Sequence, residues 1–248
     1  MNENEQNLHE SIRQETKVDT STPDRFLETL KCSDTLPTLT QPDLERLYES
    51  MTQQQIVDYY VILNQFLNEA TGQLLIKPDQ VVRPKVLFHS SGSGNVEIFE
   101  PRAEKKRHPD DPPQIFGSPS EAVCSMFLIP TDDSFVRSGS YDSCKSWTYI
   151  IGDFEKFKSL DKGGWIYALP ATNFNVSPNE GLGLFEWTSN KNVPVENKKY
   201  FPSGLQAMLD YDIKIYVVDK ALFKRFNSEE EDHIQLLQTL KPITADKI

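Results

Sequence analysis

The chain has 248 residues, of which 38% are hydrophobic, and with 14 Phe, 9 Tyr and 3 Trp it can bury a substantial core, so we expect one main domain with a smaller addition. The 26 Lys and Arg against 37 Asp and Glu give a net charge of −11, which repels phosphate backbones and anionic membranes and argues against nucleic-acid binding. No apolar run approaches the roughly 20 residues that span a bilayer, so we expect no membrane association.

The first 38 residues are a polar segment, rich in Glu, Gln, Asn, Ser and Thr, whose apolar residues follow no sustained period. A segment of this composition cannot repay the entropy lost on ordering. We therefore expect a disordered tail over residues 1–38. A short helix around "PDRFLETL", serving as a contact for a partner, is the alternative within it.

A helical pair is predicted over residues 40–75. Its first helix, over roughly 41–51, is indicated by Thr40 ahead of Pro42 and by the apolar residues that follow in "DLERLY". A protein partner or acceptor could bind through this pair.

The second helix of the pair is predicted over roughly 53–71. Thr52 and Gln55 have the spacing of a capping box, and Gly72 is placed to end the helix. Apolar residues occupy much of its circumference, so it must pack against a large surface.

Residues 80–222 have the pattern of an α+β domain. Short apolar runs with a period near two alternate with turn residues: "KVLFH", "VEIF", "QIFGS", "SWTYII", "GWIYALP", "GLFEWTS" and "KIYVVD". Only brief helical candidates separate them, which favours α+β over a regular βαβ alternation: "SPSEAVCSMFL", "DFEKFKSL" and "PSGLQAMLD".

Residues 223–248 are predicted to form a C-terminal helix and tail. Ser228 and Glu231 have the spacing of a second capping box, and the acidic first turn suits the helix dipole.

The histidines and cysteines lack metal-binding spacing. Neither CxxC nor HExxH occurs, and we predict no metal site from the scattered residues: His9, His89, His108, His233, Cys32, Cys124 and Cys144. Cys124 lies on the apolar side of a predicted helix, where burial keeps the thiol neutral, so we interpret it as a packing residue rather than a nucleophile.

The odd number of cysteines and the absence of a cleaved signal pattern favour a reducing compartment, and we expect a cytoplasmic location. A nuclear location and export by a route without a cleaved signal stay open.

Two polar residues at strand positions are candidates for chemistry. His89 ends the apolar run "VLFH", and Glu186 interrupts an apolar run between Phe185 and Trp187. In a strand, alternation places Glu186 on the solvent face. The alternative is a carboxylate at the rim of a cleft.

Three motifs in order give the strongest signal: "VLFHSS", "PQIFGSPSEAVCSMF" and "FEWTSNKNVPVENKKYF". Over residues 85–200 their order and spacing resemble the signature strands of the ADP-ribosyltransferase fold, the NAD-using family of the poly-ADP-ribose polymerases and the diphtheria-toxin-like enzymes. The resemblance implies an α+β fold of split antiparallel sheets with short helices. It also implies NAD as the substrate and ADP-ribosyl transfer or NAD cleavage as the reaction.

The resemblance also implies site residues. His89 would hydrogen-bond a ribose hydroxyl, Ser90 would offer backbone groups to the nicotinamide amide, and Phe116 would present a ring face. Glu186 would stabilise the oxocarbenium-like charge that develops as nicotinamide leaves. Ser118 matches the second motif and belongs to the same predicted NAD-binding set.

Arg102 could reach the pyrophosphate, although a solvated loop position is the alternative for it.

Two positions depart from the family pattern. Ser90 stands where the family has glycine, and Phe116 stands in place of the usual tyrosine. An inactive relative that acts as a binding or interaction protein is therefore the alternative function. A third hypothesis, transfer of an RNA 2′-phosphate to NAD, needs basic residues around the cleft, and the net charge of −11 argues against it.

Overall fold

The computed structural model describes residues 18–33, 36, 38–66, 73–102, 109–142, 144–228 and 231–244. Over these residues the chain has an α+β fold of small sheets, nearly all antiparallel, with short helices between the strands. The predicted α+β class is thus confirmed. His9, Gly72, His108 and the predicted helix end at residue 71 lie outside the described residues.

Within the described residues, three α-helices precede the first strand: α1 (Pro23–Lys31), α2 (Gln41–Ser50) and α3 (Gln53–Leu63). Five short α-helices follow in the same described ranges: α4 (Glu121–Ser125), α5 (Phe154–Leu160), α6 (Gly204–Asp210), α7 (Lys220–Arg225) and α8 (His233–Gln238).

Helix α1 is the short helix around "PDRFLETL" that was the alternative to disorder within residues 1–38. Its first turn is capped by Thr22, and its apolar side is buried against α3, with Phe26 fully buried and its ring centroid 5.4 Å from that of Tyr59. Three apolar side chains on one side of α1 are enough to order it once α3 supplies a surface, which composition alone cannot show. Residues 1–17 lie outside the described part of the chain.

The helical pair begins where the capping signals placed it. Thr40 caps α2 together with Asp43, and Thr52 and Gln55 form the predicted capping box of α3. Helix α3 ends earlier than predicted, at Leu63, because Asn64 turns its side-chain amide back to donate to the carbonyl of Tyr60 at 2.7 Å.

The strands of the described residues, in chain order, are β1 (Val86–Ser91), β2 (Ile98–Phe99), β3 (Ile115–Gly117), β4 (Val136–Gly139), β5 (Thr148–Ile151), β6 (Gly164–Pro170), β7 (Asn175–Val176), β8 (Trp187–Ser189), β9 (Val193–Pro194), β10 (Asn197–Phe201) and β11 (Lys214–Val217). They form three-stranded sheets β1-β6-β10, β3-β8-β7 and β11-β5-β4, and the pair β2-β9. Among the strands that the structure describes, only β5 and β11 pair in parallel.

Two of these sheets are joined side by side through Phe88 and Ser118. The amide of Phe88 donates to the carbonyl of Ser118 at 2.7 Å, and the amide of Ser118 donates back at 2.9 Å. Strands β1 and β3 therefore run next to each other and antiparallel, so the strand order reads β10-β6-β1-β3-β8-β7. This junction places His89 beside β3.

The C-terminal helix α8 begins at a different residue from the one predicted. Asp232 caps it by accepting from the amides of Ile234 and Gln235, whereas the predicted pair of Ser228 and Glu231 does not. Glu231 instead pairs with Arg225 at the end of α7, with two N···O distances of 2.9 Å. None of the helices in the described ranges combines the length and the apolar character needed to cross a lipid bilayer.

Candidate functional site

His89 is held by the neighbouring strand β3. Its Nδ1 lies 2.6 Å from the carbonyl oxygen of Phe116, which can only accept, so Nδ1 carries a proton and donates to that oxygen. The ring also packs edge-on against Phe99, with centroids 4.5 Å apart. These two contacts set the orientation of the His89 ring.

Ser90, Phe116 and Ser118 surround His89. The Ser90 hydroxyl donates to the carbonyl of Cys124 at 2.5 Å. Phe116 is half-buried opposite Thr188 in the β3-β8 pair. Ser118 is buried in the junction with Phe88 and has a structural position.

Glu186 lies between two buried aromatic residues. It leaves a 3-10 turn, Gly183–Phe185, with its amide donating to the carbonyl of Gly183 at 3.1 Å, and enters β8 in extended conformation. Phe185 and Trp187 are 1% and 2% exposed, whereas Glu186 is half-buried and borders a cleft. Phe185 and Trp187 thus point into the core and Glu186 points to the opposite face, as the alternation predicted. That opposite face is a wall of the cleft.

Gly181 packs directly against the Glu186 carboxylate. It has φ = +55°, in the left-handed region, and a β-carbon placed on it would overlap both carboxylate oxygens of Glu186. Only glycine meets both the conformational and the spatial requirement here.

One cleft of about 630 Å³ brings together the residues singled out from the sequence: His89, Ser90, Arg102, Phe116, Ser118 and Glu186. Its wall is rich in aromatic rings: Phe88, Phe99, Phe127, Phe185 and Tyr149. The volume is in the range of small-molecule sites, and aromatic walls with a few converging polar groups are typical of sites for planar ligands.

Charged residues of both signs line the cleft. Arg102 is exposed and bridges to Gln114 through its backbone, and the basic segment that follows it, 103–108, lies outside the described residues. At another part of the wall, Asp133 pairs with Arg137 at 3.7 Å. The hydrogen bonds from Ser134 hold the pKa of the Asp132 carboxyl below its usual value.

Cys124 lines the cleft but is not a nucleophile. It is 4% exposed, its thiol donates to the carbonyl of Phe88 at 3.1 Å, and burial raises its pKa to about 12. The prediction of a neutral packing thiol is confirmed. Over the described ranges, no three His, Cys, Asp or Glu side chains are grouped so as to hold a metal ion.

Residues behind the cleft pack against the neighbours of Glu186, and they were not identified from the sequence as part of the site. The Tyr60 ring on α3 contacts both neighbours of Glu186, at 6.2 Å from Phe185 and 6.4 Å from Trp187 between centroids. The guanidinium of Arg83 lies 5.6 Å from the centroid of the Trp187 ring. No local pattern distinguishes Tyr60 from the other apolar residues of its helix.

Comparisons of the chain with protein-family models, with curated proteins and with solved structures find no significant match.

Proposed function

We propose that the cleft cleaves NAD and transfers its ADP-ribosyl group, to water or to an acceptor. The observation that carries the proposal is that His89 and Glu186, 97 positions apart in the chain, line one cleft together with Phe116. The proposed assembly is thus an oriented imidazole, an aromatic ring and a carboxylate in one partly enclosed space.

His89 and Phe116 act on the ground state in this proposal. The hydrogen bond between Nδ1 and the carbonyl of Phe116 orients the imidazole of His89, which in this proposal hydrogen-bonds a ribose hydroxyl. The Phe116 ring offers a face to nicotinamide, whose amide hydrogen-bonds to the backbone at Ser90. Arg102, which is exposed and lines the cleft, would pair with the pyrophosphate in this proposal.

Glu186 acts on the transition state. As the bond between the ribose C1′ and the nicotinamide nitrogen breaks, its electron pair goes to nicotinamide, and positive charge develops on the ribose ring. A fixed carboxylate in a poorly solvated cleft lowers the energy of that charge. Water or an acceptor nucleophile then adds to C1′ and gives up a proton, for which Glu186 is the nearest proposed base.

The test is nicotinamide release from NAD by the purified protein and by Glu186→Gln, which removes the charge and keeps the shape. We expect release by the parent protein and a loss of at least 100-fold in kcat in the variant, in the range of losing one transition-state electrostatic contact. Glu196→Gln is the matched control, because Glu196 is exposed and does not border the cleft.

Full activity of Glu186→Gln would remove this mechanism. No release by the parent protein, together with no NAD-induced rise in Tm, would leave the alternative of an interaction protein that binds a partner through residues 40–75.

A further inference from the structure

The loop that carries Glu186 is fastened to a distant part of the chain through Asn179. The side-chain oxygen of Asn179 accepts from the amide of Leu74 at 2.6 Å, and its side-chain nitrogen donates to the carbonyl of Leu74 at 3.2 Å. One side chain thus satisfies both backbone groups of a residue that lies 105 positions away in the sequence. Leu74 itself is buried, so the anchor point is part of the core.

The chain between Asn179 and Glu186 is short and internally bonded. The amide of Gly183 donates to the carbonyl of Glu180 at 2.8 Å, and the amide of Glu186 donates to the carbonyl of Gly183 at 3.1 Å. Two consecutive hydrogen-bonded turns thus connect the residue after Asn179 to Glu186, and Gly181 within those turns touches the Glu186 carboxylate.

The other side of Glu186 is already fixed. Trp187 is buried in β8 and stacks on Tyr60, whose hydroxyl donates to the carbonyl of Val82. The turn that precedes Glu186 is held by its buried residues Leu184 and Phe185 and by the hydrogen bond from Trp187 Nε1 to the carbonyl of Leu184 at 3.0 Å. The residues before that turn are held at their start by the contact between Asn179 and Leu74.

We infer that Asn179 is a positioning residue for Glu186, acting through its two hydrogen bonds to Leu74. The expected effect of Asn179 on kcat rests on the proposed function. Its expected effect on the position of the loop does not. A displacement of about 1 Å in a catalytic group can lower a rate by about 100-fold, so a side chain that never touches the substrate can control turnover.

The experiment compares the parent protein with Asn179→Leu, which removes both hydrogen bonds, and with Asn179→Asp, which keeps the shorter one from the Leu74 amide. Asn190→Leu is the matched control, since Asn190 is exposed just after β8 and does not border the cleft. Two quantities are measured: kcat and KM for nicotinamide release, and hydrogen exchange of the amides of residues 180–186.

We expect Asn179→Leu to lower kcat at least tenfold with KM for NAD changed less than twofold, because His89 and Phe116 still bind the ground state. Asn179→Asp should fall between that variant and the parent. Exchange at 180–186 should accelerate in Asn179→Leu while exchange in β1 and β6 stays unchanged.

An unchanged kcat in a folded Asn179→Leu protein that cleaves NAD would overturn the inference, and so would unchanged exchange at 180–186. If the parent protein releases no nicotinamide, the proposed function fails, and hydrogen exchange alone then decides whether Asn179 holds the loop.

Discussion

Gly181→Ala should disable the site by displacing the Glu186 carboxylate. Two costs follow from the structure. An alanine at φ = +55° is strained by about 1–2 kcal/mol. Its β-carbon also occupies the space of both carboxylate oxygens, so the Glu186 side chain must leave its position. We expect the free energy of unfolding to fall by about 1–3 kcal/mol and kcat for nicotinamide release to fall at least tenfold.

Two glycine variants separate these costs. Gly163→Ala is equally strained, at φ = +67°, and its β-carbon clashes with the backbone of Phe201 and Pro202, away from the cleft. It should lose stability but keep kcat in its folded fraction. Gly139→Ala meets no atom within 4 Å and serves as the baseline for both assays. Urea denaturation and nicotinamide release measure the two effects, and a folded Gly181→Ala protein with the parent kcat would refute the reasoning.

Three further predictions concern stability and reactivity. Phe26→Ala should lower the free energy of unfolding by about 3–5 kcal/mol in urea denaturation, since Phe26 is fully buried, whereas a loss below about 1 kcal/mol would mean that α1 does not pack as described. In the folded protein a thiol reagent should label the exposed Cys32 quickly and Cys124 only after unfolding, and rapid labelling of Cys124 would contradict its burial. Burial raises the pKa of Tyr149 to about 12 from about 10 in the unfolded chain, so the stability that the protonated Tyr149 contributes is complete below pH 10 and is lost as the pH rises to 12. In denaturation experiments at pH 9–11, the free energy of unfolding should therefore fall less steeply with pH in Tyr149→Phe than in the parent protein. Equal slopes in the two proteins would contradict this prediction.

Local signals predicted the start of each helix of the pair correctly. Thr40 and Thr52 cap α2 and α3 because the bonds involved span only three residues and need no tertiary context. The end of α3 and the cap of α8 were misplaced, since several polar residues compete there. Asp232 takes the cap that Ser228 was expected to supply, and Glu231 is drawn to Arg225.

For the site, the sequence indicated the residues that line the cleft, but not the residues that hold Glu186 in place. The alternation around Glu186 predicted two buried neighbours, and both are buried. The contacts of Tyr60 and Asn179 span 105 or more positions and depend on how the helices pack, so no local pattern reports them. The contact of the Glu186 carboxylate with Gly181 is likewise visible only in three dimensions.

The stacking of Tyr60 on Trp187 has a consequence for the biosynthesis of the protein. Ribosomes add about 5–20 residues per second, and the rings that cover Tyr60 are made more than a hundred residues after it. Tyr60 is therefore synthesised roughly ten seconds before Phe185 and Trp187. During that interval the nascent chain presents an uncovered Tyr60 ring to chaperones and to neighbouring chains, and the segment 185–187 then both covers this ring and completes the cleft.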